Sequence, residues 1–288
     1  MKERNKKEKP DIVNSIKECE FKELYVDTEF GKMFVKVFNN NQYHDLNQKN
    51  INQDTIVFLH GFGMNHNTFD NIIKRFNNYN VISLDFLGFG LSDKPNTPMT
   101  LDDYANTLYK VIIYVYKNCF ANIDISNSKL YLVGHSFGGR VGLLYSYKYH
   151  VDKLFLINGK ALKNKKMSYK LKILKYKIRK AFIFNKNKYF EFVNKHSSND
   201  YKSVNGVMKK TFVNVVNFDL ENKLSKIKNE VIIMASVNDD VVRFEESMKI
   251  YNMTKKSIIY PFYNSKHFSY LDEEDKVVNI INKHLEER

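Results

Sequence analysis

The hydrophobicity pattern predicts an α/β protein: a mostly parallel, eight-stranded sheet with helices on both faces and a helical cap inserted between strands. Three observations carry that prediction. Short, wholly apolar runs recur along the chain, the pattern left by strands buried on both faces. Helix-period segments separate most of these runs, and alternation of strand and helix implies a parallel sheet covered on either side. A lysine-dominated stretch with no strand pattern then interrupts the alternation late in the chain.

Residues 1 to 20 are polar and charged, and a frayed tail is expected there. "FKELYVDTEFGKMFVKVF" alternates apolar and polar residues around a turn at Glu29 to Gly31, which predicts an antiparallel hairpin. The asparagine-rich "NNNQYHDLNQKNINQD" reads as a low-complexity loop. Six buried-strand runs follow: "TIVFLHG", "YNVISLDF", "KLYLVGHS", "DKLFLING", "EVIIMAS" and "KSIIYPF". Helical patterns cover Asp102 to Lys117, Phe137 to Tyr149, Arg243 to Tyr251 and Asp272 to His284. The organisation that results is a core over 21–158 and 226–288, interrupted by a basic helical cap over 159–225.

The net charge of +14 over 288 residues is unevenly placed. Between Lys160 and Lys210 there are 16 basic residues against two acids, Glu191 and Asp200, so the rest of the chain is formally neutral. The longest apolar runs, such as "VIIYVY", are far too short to span a bilayer. "MKERNKKEKP" has no apolar segment behind it, and a soluble, cytoplasmic protein is the expectation. Cys19 and Cys119 lack the paired spacing of a zinc site or disulfide scaffold and are expected to be reduced and structural.

The chain has only 11 glycines, and seven of them fall in three short motifs at the ends of apolar runs. These are "HGFG" at His60, "GFG" at Gly88, and "GHSFGG" at Gly134. The C-terminal edge of a parallel sheet is where ligands bind. Gly134-His135-Ser136-Phe137-Gly138 fits G-x-S-x-G between a strand and a helix, the context in which a sharp turn exposes a nucleophilic serine. A helix-capping serine beside a packing glycine is the simpler reading of those five residues.

These motifs, followed by an acid after "VIIMAS" and a late "KHFSYLDE", resemble the α/β-hydrolase superfamily and in particular its lidded esterase and lipase-like members. The match runs in family order over roughly residues 21 to 288, the cap excluded. The resemblance implies the α/β-hydrolase fold, with Ser136 as nucleophile, His267 as base and an acid after the "EVIIMAS" strand. Asp239 fits the family's pattern better than its neighbour Asp240, because Val241 and Val242 follow it. Asn158 stands where some relatives place the acid and could not serve as one. Two main-chain amides, of Phe62 and Phe137, would form the oxyanion hole. His60 and His135 would be structural, and no metal or organic cofactor is implied. Ser136 in place of aspartate disfavours the dehalogenase and epoxide-hydrolase relatives, and the lack of proline in "HGFGMN" disfavours the proline-peptidase ones.

The implied activity is cleavage of a small-molecule acyl ester, with lysophospholipid or monoacylglycerol as example substrates. A thioesterase, an acyltransferase, or a ligand-binding protein that has lost turnover are the alternatives. In the cap, Met167, Leu171, Leu174, Ile178 and Ala181 or Phe182 recur at helical spacing among lysines, a basic amphipathic pattern. Its apolar stripe either packs on the core with its lysines solvated, or gates an acyl pocket and leans on an anionic membrane surface. No nucleic-acid module is recognised.

Overall fold

The computed structural model describes residues 21–39, 53–120, 128–163 and 198–287. The expected N-terminal tail and the proposed amphipathic helix from Met167 to Phe182 lie outside these residues, as does most of the asparagine-rich loop.

One eight-stranded sheet organises the molecule in the order β1-β2-β4-β3-β5-β6-β7-β8. Its strands are β1 (Lys22–Thr28), β2 (Gly31–Phe38), β3 (Thr55–Leu59), β4 (Asn80–Leu84), β5 (Leu130–His135), β6 (Lys153–Ile157), β7 (Glu230–Ser236) and β8 (Ser257–Phe262). β1 and β2 form the expected hairpin, and β2 joins β4 antiparallel; all other neighbours are parallel. Strands β3 and β4 are buried along their whole length, which is why their sequences lack a polar face.

The alternation of side chains across each strand divides the core in two. Val57, Leu59, Leu132, Leu154, Leu156, Val231 and Ile233 enter one apolar cluster. Their neighbours Ile56, Phe58, Tyr131, Val133, Phe155 and Ile232 enter the other. The first face is covered by α2 (Leu101–Asn118), α3 (Phe137–Lys148) and α7 (Phe244–Met253), and the second by α9 (Glu274–Glu286) together with a run of short turns over 66–76. That run, a 3-10 turn (His66–Phe69), α1 (Asp70–Ile73) and a second 3-10 turn (Lys74–Phe76), is too short to show a helical period and is absent from the sequence reading. The four predicted helices are present with ends shifted by one or two residues. α2 starts where Thr100 and Asp103 form a reciprocal capping box, satisfying two of the first amides.

Three helices occupy the described part of the predicted cap: α4 (Asn199–Ser203), α5 (Gly206–Asn217) and α6 (Glu221–Leu224). α5 is fastened to the loop before α2, since Met99 N donates to Thr211 Oγ1 at 3.0 Å and Asn214 Nδ2 to Met99 O at 3.2 Å. From α3, the buried Arg140 guanidinium donates to Lys160 O at 3.1 Å and to Phe218 O. It thereby ties both the start and the end of the inserted segment to the helix that follows Ser136. Burial pulls its pKa down to about 10, opposed by the charges of Asp219 and Glu246, so it remains a cation at neutral pH.

Candidate active site

The loops that follow β3 to β8 meet at one edge of the sheet. At the end of β5 the chain turns within a single residue into α3, and Ser136 takes φ 50° and ψ −108°. A non-glycine residue in that region costs on the order of 1–3 kcal/mol and persists only where its surroundings enforce it. Here Ser136 N donates to Ile157 O and Ser136 O accepts from Arg140 N, both at 3.0 Å. Gly138 makes the turn feasible through space, not through φ: a Cβ there would lie 2.1 Å from Leu59 O, so only glycine lets α3 approach β3 so closely.

His267 lies between β8 and α8 (Ser269–Asp272), and Asp239 in the turn after β7. Both are buried, and His267 Nδ1 stands 2.8 Å from Asp239 Oδ2. The other oxygen of Asp239 accepts the amides of Val241 at 2.7 Å and Val242 at 2.9 Å, which fixes the carboxylate's orientation. Asp240 is exposed. The geometry therefore brings His267 to Asp239 and leaves Asp240 in solvent.

His135, adjacent to Ser136, connects the elbow to this pair. Its Nε2 bonds to His267 O at 2.9 Å, and the two rings are 4.7 Å apart. Nε2 must carry the proton to donate there, so in the neutral ring Nδ1 is unprotonated, and it is buried with no hydrogen-bond partner among the described residues. Burial, reinforced by the neighbouring His267, lowers the His135 pKa to about 3. His60 is neutral for a similar reason: burial lowers it to about 4 despite its bond to Gly61 O. Its Nδ1 donates to that carbonyl at 2.7 Å, and its Nε2 accepts Phe86 N at 2.9 Å, tying the loop after β3 to the loop after β4.

Phe62 sits in the tethered loop after β3, and Phe137 opens α3, whose first amides have no intrahelical acceptor. Their rings touch with centroids 5.7 Å apart, and Phe62 also meets Phe89 at 4.7 Å and Phe212 of α5 at 5.1 Å. The two residues named as amide donors are thus neighbours.

Two polar arrangements go beyond what the sequence signals. Asn158, at the end of β6 with φ 47°, donates through Nδ2 to His267 O at 3.0 Å, and to Ser236 Oγ, Lys266 O and Ser269 Oγ, each at 3.2 Å. Its Oδ1 accepts Ser236 N at 2.8 Å. The asparagine that cannot be the acid instead holds the main chain of the histidine loop. Asp85, fully buried, accepts the His66 ring, the His66 amide and the Leu91 amide. This second histidine–aspartate pair, Asp85 at the end of β4 and His66 after β3, joins residues that no shared motif connects.

A strained serine at a strand-to-helix elbow, and a buried histidine–aspartate pair on later loops of the same carboxyl edge of an eight-stranded, mostly parallel sheet, are the architecture of an α/β hydrolase. A family model described as "alpha/beta hydrolase fold" matches residues 54–246, and the chain belongs to that family. It is similar to the AB hydrolase superfamily protein YisY of Bacillus subtilis (strain 168), with 25% identity over 78% of this chain and 89% of that protein. It is also similar to a proline iminopeptidase of Saccharolobus solfataricus (strain ATCC 35092 / DSM 1617 / JCM 11322 / P2), with 23% identity over 88% of this chain and 92% of the other. Among solved structures, the esterase EaEST of Exiguobacterium antarcticum superposes with a TM-score of 0.63 at 21% identity, covering 88% of this chain and 95% of that one.

Proposed function

We propose that the protein is a serine hydrolase acting on carboxylic esters. The observation that carries this reading is the buried His267–Asp239 contact at 2.8 Å, coupled to the Ser136 elbow through His135. A serine hydroxyl attacks a carbonyl only when a base takes its proton. In this reading Ser136 Oγ attacks the acyl carbon and His267 Nε2 accepts its proton. Asp239 keeps the Nδ1 proton on the side away from the serine and stabilises the imidazolium. The Phe62 and Phe137 amides take the oxyanion, an effect worth about 2.7 to 4 kcal/mol per donor. Collapse expels the alcohol, which receives the proton from His267. Water then attacks the acyl-enzyme by the same route in reverse.

Phe62, Phe89, Phe137 and Phe212 form an aromatic wall beside the elbow that suits an apolar acyl group. Monoacyl lipids such as a lysophospholipid or monoacylglycerol are the proposed substrates. Contact with an anionic membrane surface is part of the same proposal. α5 turns Lys210, Val213 and Val216 to solvent, and with Pro98, Tyr201, Lys209 and Asn214 it borders a shallow cleft of about 330 Å³. No helix among the described residues is long and apolar enough to cross a membrane. Co-sedimentation with anionic vesicles and not with neutral ones is the expected result; equal, negligible binding to both would exclude the contact.

The test of the chemistry is labelling by a fluorophosphonate probe, read by intact mass and peptide mapping, beside Ser136→Ala and His267→Ala. Labelling at Ser136 alone, lost in both variants, is expected, together with turnover of p-nitrophenyl esters and slower turnover of matched p-nitroanilides. Faster amide turnover would transfer the proposal to the peptidase side of the family. A folded, unlabelled protein would leave a ligand-binding role in place of a hydrolase.

A further inference from the structure

The main-chain carbonyl of His267 is held twice. His135 Nε2 donates to it at 2.9 Å and Asn158 Nδ2 at 3.0 Å, so two side chains fill both lone pairs of one oxygen. The donors come from neighbouring strands: β5 and β6 pair in parallel with His135 opposite Ile157, and Asn158 is the next residue. The sheet register delivers both to the same place. The rest of the His135 ring is committed as well, with its centroid 4.7 Å from that of His267 and 4.9 Å from that of Tyr270. Its Nδ1 faces the main chain of Gly61, where a Cβ would lie 2.8 Å from that nitrogen, so a residue with a side chain would displace the ring. Gly61 precedes Phe62, whose amide is one of the proposed oxyanion donors. One imidazole therefore touches the loop after β3 and the loop of the proposed base, and it is bonded directly to Ser136 along the chain.

An apolar ring would fill this space without leaving a buried nitrogen unpartnered, as Nδ1 is among the described residues. What an apolar ring lacks is the Nε2 donor. The histidine also stays neutral, since burial lowers its pKa to about 3, and a second cation at 4.7 Å would oppose the imidazolium that His267 becomes on taking a proton. We propose that His135 is a positioning residue: with Asn158 it clamps the His267 carbonyl and so sets the approach of the His267 imidazole to Ser136. This rests on the reading of Ser136 as nucleophile and His267 as base, and adds the element that fixes their separation.

The test uses the full chain and two neutral replacements. The amide nitrogen of His135→Gln can reach the place of Nε2, whereas that of His135→Asn reaches only the place of Nδ1. Both variants lose the ring, and both should lower the thermal midpoint. The rate of fluorophosphonate labelling at Ser136 should fall about 10- to 100-fold in His135→Asn and less than about threefold in His135→Gln, with kcat on a p-nitrophenyl ester following and KM little changed. Because both donors act on one oxygen, His135→Asn combined with Asn158→Gly should slow labelling by less than the product of the two single losses. Equal labelling rates in the two His135 variants, whether slow or at the parent's rate, would overturn the clamp, as would a double loss equal to the product. A folded parent that takes no label would instead overturn the nucleophile reading, and the positioning role with it.

Discussion

Among the described residues, two buried histidine–aspartate pairs lie at the same edge of one sheet, and they differ in what surrounds them. His267 meets Asp239 at 2.8 Å and His66 meets Asp85 at 3.0 Å, and both aspartates are fully covered as side chains. The difference lies in what else each pair holds. Asp85 also receives the amides of His66 and Leu91, and the hydroxyls of Ser83 and Ser92 donate to the carbonyls of His66 and Asp85. Gly90, at φ 54°, leaves room for this, since a Cβ there would lie 2.1 Å from Asp85 Oδ2. These bonds weld two loops together. Around Asp239 only one oxygen is spent on main-chain amides; the other orients an imidazole whose backbone is gripped by His135 from the elbow. A short histidine–aspartate distance is therefore compatible with either task, and its neighbours decide which.

The largest effects should separate the pairs cleanly. Asp239→Asn leaves a neutral group that cannot stabilise the imidazolium, and kcat on an activated ester is expected to fall by about 10⁴-fold with the thermal midpoint nearly unchanged. Asp85→Ala strands buried donors and should cost roughly 3 kcal/mol of stability, with kcat per folded molecule within about tenfold of the parent. Asp240→Asn, one residue from the proposed acid and exposed, should change neither measurement by more than about twofold. Denaturant melts and initial rates on the three variants suffice. A large kcat loss in Asp85→Ala with intact stability would erase the distinction drawn between the pairs.

How much of this was legible in advance follows from the range of the interactions. Strands, helices and the elbow are local patterns, and the family resemblance placed Ser136, His267 and Asp239 on the loops where they occur. The short turns over 66–76 have no period to detect, and Asn158 reads only as a residue that cannot be the acid until its partners 78 to 111 positions away are known. His66 and Asp85 are 19 positions apart without shared motif or spacing, so only the fold makes them partners. Side chains whose task is to join loops leave no periodic trace.

Acid offers a second way to probe the same edge. His60 and His135 are held neutral, with pKa values lowered from 6.5 to about 4 and about 3 by burial. Between those values and 6.5 the unfolded chain binds more protons than the folded one, so stability is full above pH 6.5 and falls as the pH drops toward 4. Each histidine should remove roughly 3 kcal/mol over that interval, at about 1.4 kcal/mol per pKa unit. Urea midpoints measured from pH 7 to pH 4 should decline steeply, and His135→Gln should flatten the decline even if it lowers the starting value. An unchanged slope would mean that His135 titrates alike in both states.

A further, intermediate effect concerns the residue that links the proposed acid's strand to the proposed base. Asn158 holds the His267 and Lys266 carbonyls while its Oδ1 takes Ser236 N on β7, so one side chain fixes the spacing between the two loops. Its φ of 47° is itself unfavourable for most side chains, which means that alanine would confound lost hydrogen bonds with backbone strain. Asn158→Gly avoids this, because glycine adopts that conformation without steric cost. If the amide only stabilises the fold, Asn158→Gly should lower the thermal midpoint and leave kcat alone. If it positions His267, kcat should fall about 10- to 100-fold with KM little changed, since misplacement by a fraction of an ångström weakens the transition state more than substrate binding. The rate of fluorophosphonate labelling at Ser136 should fall by the same factor, because that reaction needs the same base and no particular alcohol. A kcat loss without slower labelling would place the role of Asn158 in the second half of the reaction, where water must be activated, and not in holding the base toward the serine.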